Sequence, residues 1–138
     1  MNDAKRGSID IRTDEDIVKV RQHIRGVCDE LGFSLTDTTR IVTSASELAR
    51  NVVTHATCGQ LLWHWIEKGA RLGLEIHVKD QGPGISDIGL AMNEGYSTGN
   101  GLGMGLPGTK RLMDDLEIRS TPGLGTEVVA RKWLPHAQ

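Results

Sequence analysis

The chain predicts an α+β fold: a two-layer α/β sandwich whose mixed, mostly antiparallel sheet carries helices on one face. Two observations predict it. Two amphipathic helical stripes come early, and the strand-like runs that follow come in hairpin-like pairs rather than alternating one-for-one with helices. The length, 138 residues, suits one domain over positions 1–138, large enough to bury a core and too small for two.

Residues 8–12 alternate, with Ile9 and Ile11 on one side, and predict a short first strand at a sheet edge. Thr13 and Asp16 then form a capping-box pattern ahead of Ile17, Val20, Ile24, Val27 and Leu31. Their steps of three and four make one helical stripe, ended near Gly32. Ser34 and Asp37 repeat the capping pattern, and Ile41, Ala45, Leu48, Val52 and Ala56 form a second stripe in a helix running to about His55. Leu61, Trp63 and Trp65 alternate with Leu62, His64 and Ile66. A turn-like Lys68-Gly69-Ala70 follows, then the alternating run 72–79, which together read as a hairpin. Residues 82–108 are rich in glycine and polar groups and predict a long functional loop, interrupted by a helical patch over 88–92 and followed by a helix over 109–115. Leu116 and Ile118, then Val128 and Ala130, predict two last strands joined by a turn over 121–125.

Sixteen basic and eighteen acidic residues give a net charge of −2, which argues against backbone-driven nucleic-acid binding. No apolar run approaches the ~20 residues of a membrane helix, and the start MNDAKRGSID lacks a signal-peptide core; a cytoplasmic protein is expected. Cys28 and Cys58 have no CxxC spacing and read as reduced structural thiols. His64 and His77 lie on expected strands without acidic or cysteine companions at metal spacing and read as satisfied or exposed histidines rather than ligands. Trp63 and Trp65 share a strand face and are expected to pack against helices.

Three segments suit three parts of a magnesium-bound nucleotide. Asp80, Gly82 and Gly84 end the last strand of the hairpin; a fixed carboxylate there accepts hydrogen bonds from an exocyclic amine such as that of adenine, and glycines let backbone approach a flat ligand. The run 100–108, NGLGMGLPG, leads toward a helix start, where backbone amides can cradle phosphate. On the second helix, Glu47, Asn51 and His55 lie one turn apart in a row off the apolar stripe. Asparagine suits a magnesium ion that keeps most of its water, and a glutamate can deprotonate an attacking hydroxyl. Two other motifs fail on context: residues 103–108 match GxGxxG without a preceding strand, and residues 103–110 approach a Walker A loop with Thr and Lys reversed.

Residues 46–51 (SELARN), 80–85 (DQGPGI), 101–106 (GLGMGL) and 125–126 (GT) resemble, in order, the N, G1, G2 and terminal Gly-Thr boxes of the GHKL, or Bergerat-fold, ATP-binding superfamily. The match covers nearly the whole chain and is most similar to the small stand-alone anti-sigma-factor serine kinases, especially the switch kinases of stressosomes, whose pattern residues 105–114 continue. The resemblance implies an ATP-dependent serine/threonine kinase acting on STAS-domain proteins of the RsbS and RsbR type and, once released, activating a PPM-type serine phosphatase. ATP and Mg2+ are the implied cofactors. Carried over by position, Glu47 is the general base, Asn51 the magnesium ligand, Asp80 the adenine anchor, and Gly82 and Gly84 the turn beneath the base. Gly101, Gly103 and Gly105 contact phosphates, and Thr126 adds a hydrogen bond near adenine. The expected lid, residues 93–100, contains no lysine or arginine, which leaves Arg50 and Lys110 as nearby cations without an assigned role. The alternative is an anti-sigma factor, or a binding regulator that uses ATP as a conformational ligand.

Overall fold

The computed structural model describes residues 5–56, 58–81, 102–121 and 125–135. The expected helical patch and lid, and Gly82, Gly84 and Gly101, lie outside them, as does the middle of the last turn. Five strands, β1 (Arg6–Ile11), β2 (Gly59–Lys68), β3 (Arg71–Asp80), β4 (Asp115–Thr121) and β5 (Gly125–Trp133), form one sheet in the order β1-β2-β3-β5-β4. Every pairing among the described residues is antiparallel, so the sheet has none of the parallel pairing that a mixed sheet allows. Hairpins β2–β3 and β4–β5 supply two of these pairings, and the non-sequential pairing of β3 with β5 joins them.

Helix α1 (Asp14–Leu31) opens as its sequence predicts: the Asp16 carboxylate accepts from the Arg12 and Thr13 backbone N–H groups at 2.8 and 3.1 Å. Those two amides hold Asp16 below the usual carboxylate range. The helix ends at Gly32, whose φ of 99° lets its N–H return to the Cys28 carbonyl. In α2 (Leu35–His55) the Ser34 hydroxyl accepts from Asp37 N–H at 3.1 Å. The predicted stripes are buried except for Ala56, which is half-buried at the C-cap of α2: Ile17, Val20, Ile24, Val27 and Leu31 from α1, and Ile41, Ala45, Leu48 and Val52 from α2, meet Leu61, Trp63, Leu74, Ile76, Val78, Val128 and Ala130 of the sheet. Each fully buried Ile or Leu contributes roughly 1.5–3 kcal/mol, so this seam holds the layers together. The Trp63 indole N–H donates to His23 of α1 at 3.0 Å, which satisfies the polar edge of a packed ring. Burial pushes the Cys28 thiol up to about 12, as befits a structural thiol. No helix among the described residues is long and apolar enough to cross a membrane.

The third helix corrects the expected one. Helix α3 spans Leu102–Leu112, so the glycine-rich residues 102–108 are helical rather than loop, and the chain has already entered β4 at Asp115. Leu106, Thr109 and Met113 explain it: their steps of three and four bury all three side chains, and α3 packs on α2. Each interior glycine costs about 1 kcal/mol relative to alanine, and Pro107 cannot donate to the Gly103 carbonyl, yet the buried face outweighs these propensities.

The sheet face turned away from the helices is not merely solvated. Glu75 is only 9% exposed there, beside His64, His77 and Arg131. Burial pushes its carboxyl up, but hydrogen bonds from His77 and Arg131 and the charges of Arg131 and His64 outweigh that and hold it below the usual range. Glu75 lies two residues from His77 on the same strand, and strand pairing brings it to His64, which stands directly opposite.

Candidate functional site

Strand register puts the predicted residues at one end of the sheet. Counting on in steps of two from Ile76 and Val78, which face the helices, Asp80 faces them too, and its partner on β5 is Thr126. The Asp80 carboxylate accepts the Thr126 backbone N–H at 3.3 Å, a contact between residues 46 apart in the chain. The Thr126 hydroxyl lies 3.0 Å from that of Ser120, which in turn donates to the Gly125 carbonyl at 3.2 Å. Ser120 thus steadies the Gly-Thr step, a role that sequence reasoning did not assign; its position opposite Thr126 in the last hairpin is the signal that marks it.

Gly125 makes the close approach possible. It holds φ at +114°, and a Cβ there would sit 2.1 Å from the Asp80 carbonyl oxygen. Gly125→Ala is therefore expected to destabilise the protein by on the order of 2 kcal/mol, seen in thermal denaturation as a fall of roughly 8 °C in Tm.

Helix α2 reaches this end of the sheet because Gly59, the β2 partner of Asp80, has no side chain: a Cβ would lie 2.7 Å from Val52 Cγ1. The row Glu47, Asn51, His55 then descends toward Asp80. Glu47, at the far end, is 42% exposed and 3.9 Å from Arg50, an ion pair too open to contribute more than about 1 kcal/mol. Asn51 is half-buried. At the near end, the His55 Nε2 is buried with no hydrogen-bond partner among the described residues. Burial holds the His55 imidazole below its ordinary value, against the pull of the Asp80 charge. Because the folded value is depressed, the neutral ring's contribution to stability is complete above the ordinary pKa near 6.5 and is lost as pH falls through the lower folded value. Between pH 7.5 and 5.5 the wild-type Tm should fall more steeply than that of His55→Gln, as measured by calorimetry.

Gly103 lies in the first turn of α3, where N–H groups have no intrahelical acceptor, and Gly105 lies one turn-step further in. Asp80 also borders a cavity of about 430 Å3, but Asp10, Gln60 and Lys79 of its lining pair in register on the sheet face away from the helices, opposite the side that the polar row of α2 reaches. Arg12 joins that cavity because Ile11 pairs with Gly59 at the same end of the sheet. Asp80, Thr126 and His55 are thus brought together, Asn51 and Glu47 follow along one helix face, and the α3 glycines stand on a helix packed against α2. For an adenine nucleotide the chemistry fits: a fixed carboxylate, an orphaned imidazole nitrogen beside it, and a side-chain-free glycine next to both.

Comparison with known proteins agrees with this arrangement. The family model described as "Histidine kinase-like ATPase domain" matches residues 12–132. The chain is 48% identical over 134 residues to the serine/threonine-protein kinase RsbT of Bacillus subtilis, covering 97% of this chain and 99% of that protein. It is 31% identical over 113 residues to an anti-sigma F factor of Halalkalibacterium halodurans, covering 76% of this chain and 75% of that protein. Among solved structures, a Mycobacterium tuberculosis protein containing RsbU and RsbW domains superposes with a TM-score of 0.64 at 19% identity. That match covers 97% of this chain but only 34% of the other, about a third of its length, and bears on the fold alone. From its four boxes, its antiparallel sheet with Asp80 meeting Thr126, and its near full-length similarity to a serine/threonine-protein kinase, the chain belongs to the histidine kinase-like ATPase domain family as an RsbT-type serine/threonine kinase.

Proposed function

We propose that this kinase transfers the γ-phosphoryl group of Mg-ATP to a serine or threonine of STAS-domain proteins of the RsbS and RsbR type, and that the released kinase activates a PPM-type serine phosphatase. The observation that carries the site assignment is the convergence of His55 and Thr126 on Asp80 at the sheet end reached by the polar row of α2. Asp80 accepts from the adenine amine while it keeps the Thr126 amide, since a carboxylate accepts several hydrogen bonds at once. Thr126 fixes the carboxylate's angle and adds a hydrogen bond near the base, and Gly82 and Gly84 form the turn beneath it. Gly101, Gly103 and Gly105 contact the phosphates, as the G2 box implies, and the helix dipole at the start of α3, where Gly103 lies, also favours anions. Asn51 holds the magnesium ion, which supplies charge neutralisation of the phosphates when bound. Glu47 takes the proton of the attacking hydroxyl, a role supported by its exposure to solvent. Little covalent chemistry is required of the protein, because alignment and charge stabilisation carry most of phosphoryl transfer.

The test is direct: the purified kinase, Mg2+ and γ-labelled ATP are incubated with an intact STAS-domain partner. Phosphoserine or phosphothreonine on the partner is expected, and its absence with a folded partner refutes the reading. The anti-sigma F relatives favour a second one, in which the output is docking to a sigma subunit. A stable complex with a sigma subunit in pull-down, with no transfer to any STAS protein, would establish that instead.

A further inference from the structure

We propose that the sheet face away from the helices carries a binding site for a borderline transition-metal ion such as Zn2+, with His64 Nε2, His77 Nε2 and Glu75 Oε1 as its ligands. The site does not rest on the kinase reading and shares no residue with the nucleotide end.

Strand geometry assembles it. His64 of β2 stands directly opposite Glu75 of β3, and His77 is two residues beyond Glu75 on the same face, so the three side chains rise from one patch of adjacent strands. His64 Nε2 lies 3.1 Å and His77 Nε2 2.6 Å from Glu75 Oε1, and the three donor atoms all fall within 4.8 Å of one another. Ligands on a tetrahedral zinc with bonds of about 2.0–2.1 Å stand roughly 3.3 Å apart, so rotation about side-chain torsions reaches that geometry without moving a strand.

The surroundings are those of ligands held in place. His77 Nδ1 is 3.1 Å from Glu127 Oε2 on β5; a proton kept there, once the ion displaces the one that Nε2 shares with Glu75, leaves the Nε2 lone pair for the ion. The other oxygen of Glu75 is bound by Arg131 Nε, which holds the carboxylate with Oε1 toward the two histidines. Glu75 is nearly buried, whereas the His64 and His77 side chains are 40% and 25% exposed, which leaves an entry route and room for a coordinated water as fourth ligand. Two imidazoles and one carboxylate favour Zn2+, Co2+, Ni2+ or Cu2+ over Mg2+ or Ca2+, which prefer all-oxygen shells. The nearby charges come close to balance, with Glu75, Glu117 and Glu127 against Arg131, Arg119 and Lys79, so the ligand set rather than a broad negative field selects the ion.

Calorimetric titration of the full chain with Zn2+, in a non-chelating buffer without nucleotide, should show one saturable ion per chain that a large excess of Mg2+ does not displace. His64→Gln and His77→Gln should each weaken binding at least about tenfold. Glu127→Gln, which touches no ion, should weaken it by about tenfold through the lost orientation of His77. The rise in Tm that Zn2+ gives the wild type should disappear in both histidine variants. Should a variant fail to fold, the wild type decides alone: Zn2+ must shift the side-chain 15N resonances of His64 and His77, and Co2+ must give visible absorption of four-coordinate intensity. Absence of saturable binding, unshifted His64 and His77 resonances, or wild-type affinity in both histidine variants would overturn the site.

Discussion

Asp80→Asn is expected to lower ATP affinity about ten- to a hundredfold, the equivalent of a charge-assisted hydrogen bond of roughly 1.5–3 kcal/mol. The physical reason is a shortage of acceptors. The carboxylate already takes the Thr126 N–H on one oxygen, and an amide in its place turns an N–H2 group either toward that amide or toward the adenine amine. The fold should persist, because β3 and β5 remain paired through the register from Gly73 to Asp80 and the substituted side chain is isosteric. Titration calorimetry beside circular dichroism measures both halves. An unfolded variant would make Asp80 structural, and unchanged affinity would remove it from the adenine site.

Glu47→Ala should reduce phosphoryl transfer by about 10²–10⁴-fold, the range for a lost general base, while nucleotide affinity and Tm stay at wild-type values. Its separation from Asp80 along α2 predicts the first, and its weak, exposed pairing with Arg50 predicts the second. Single-turnover transfer to the STAS partner, with ATP binding measured separately, distinguishes the outcomes. If transfer falls only because ATP no longer binds, Glu47 belongs to the binding apparatus and not to the chemistry. If phosphatase activation survives the loss of transfer, the two outputs are separable.

Much of the architecture was legible because it is written locally. Both long helices announce themselves through caps and through apolar steps of three and four, and the β2–β3 hairpin through strict alternation around a glycine turn. The α3 helix was not, because seven residues with three glycines and a proline carry poor helix propensity; only the surface of α2 supplies the reason for Leu106, Thr109 and Met113 to line up. The outer-face histidines, read as satisfied or exposed, are satisfied by Glu75, a partner only partly visible along the chain. Glu75 is two positions from His77 on the same strand, but it meets His64 across the hairpin, eleven positions away and directly opposite in register.

By itself the sequence determined the classes of element, their order, the four boxes and the chemical types available to an adenine nucleotide, because periodicity and side-chain chemistry are properties of neighbouring residues. Tertiary structure alone decided that Thr126 would hold Asp80, that Gly59 would admit Val52 and so bring His55 to the same end, and that His64, Glu75 and His77 would share a patch. Those contacts join segments far apart in the chain, and their distances are set by strand register and packing, which no local pattern encodes.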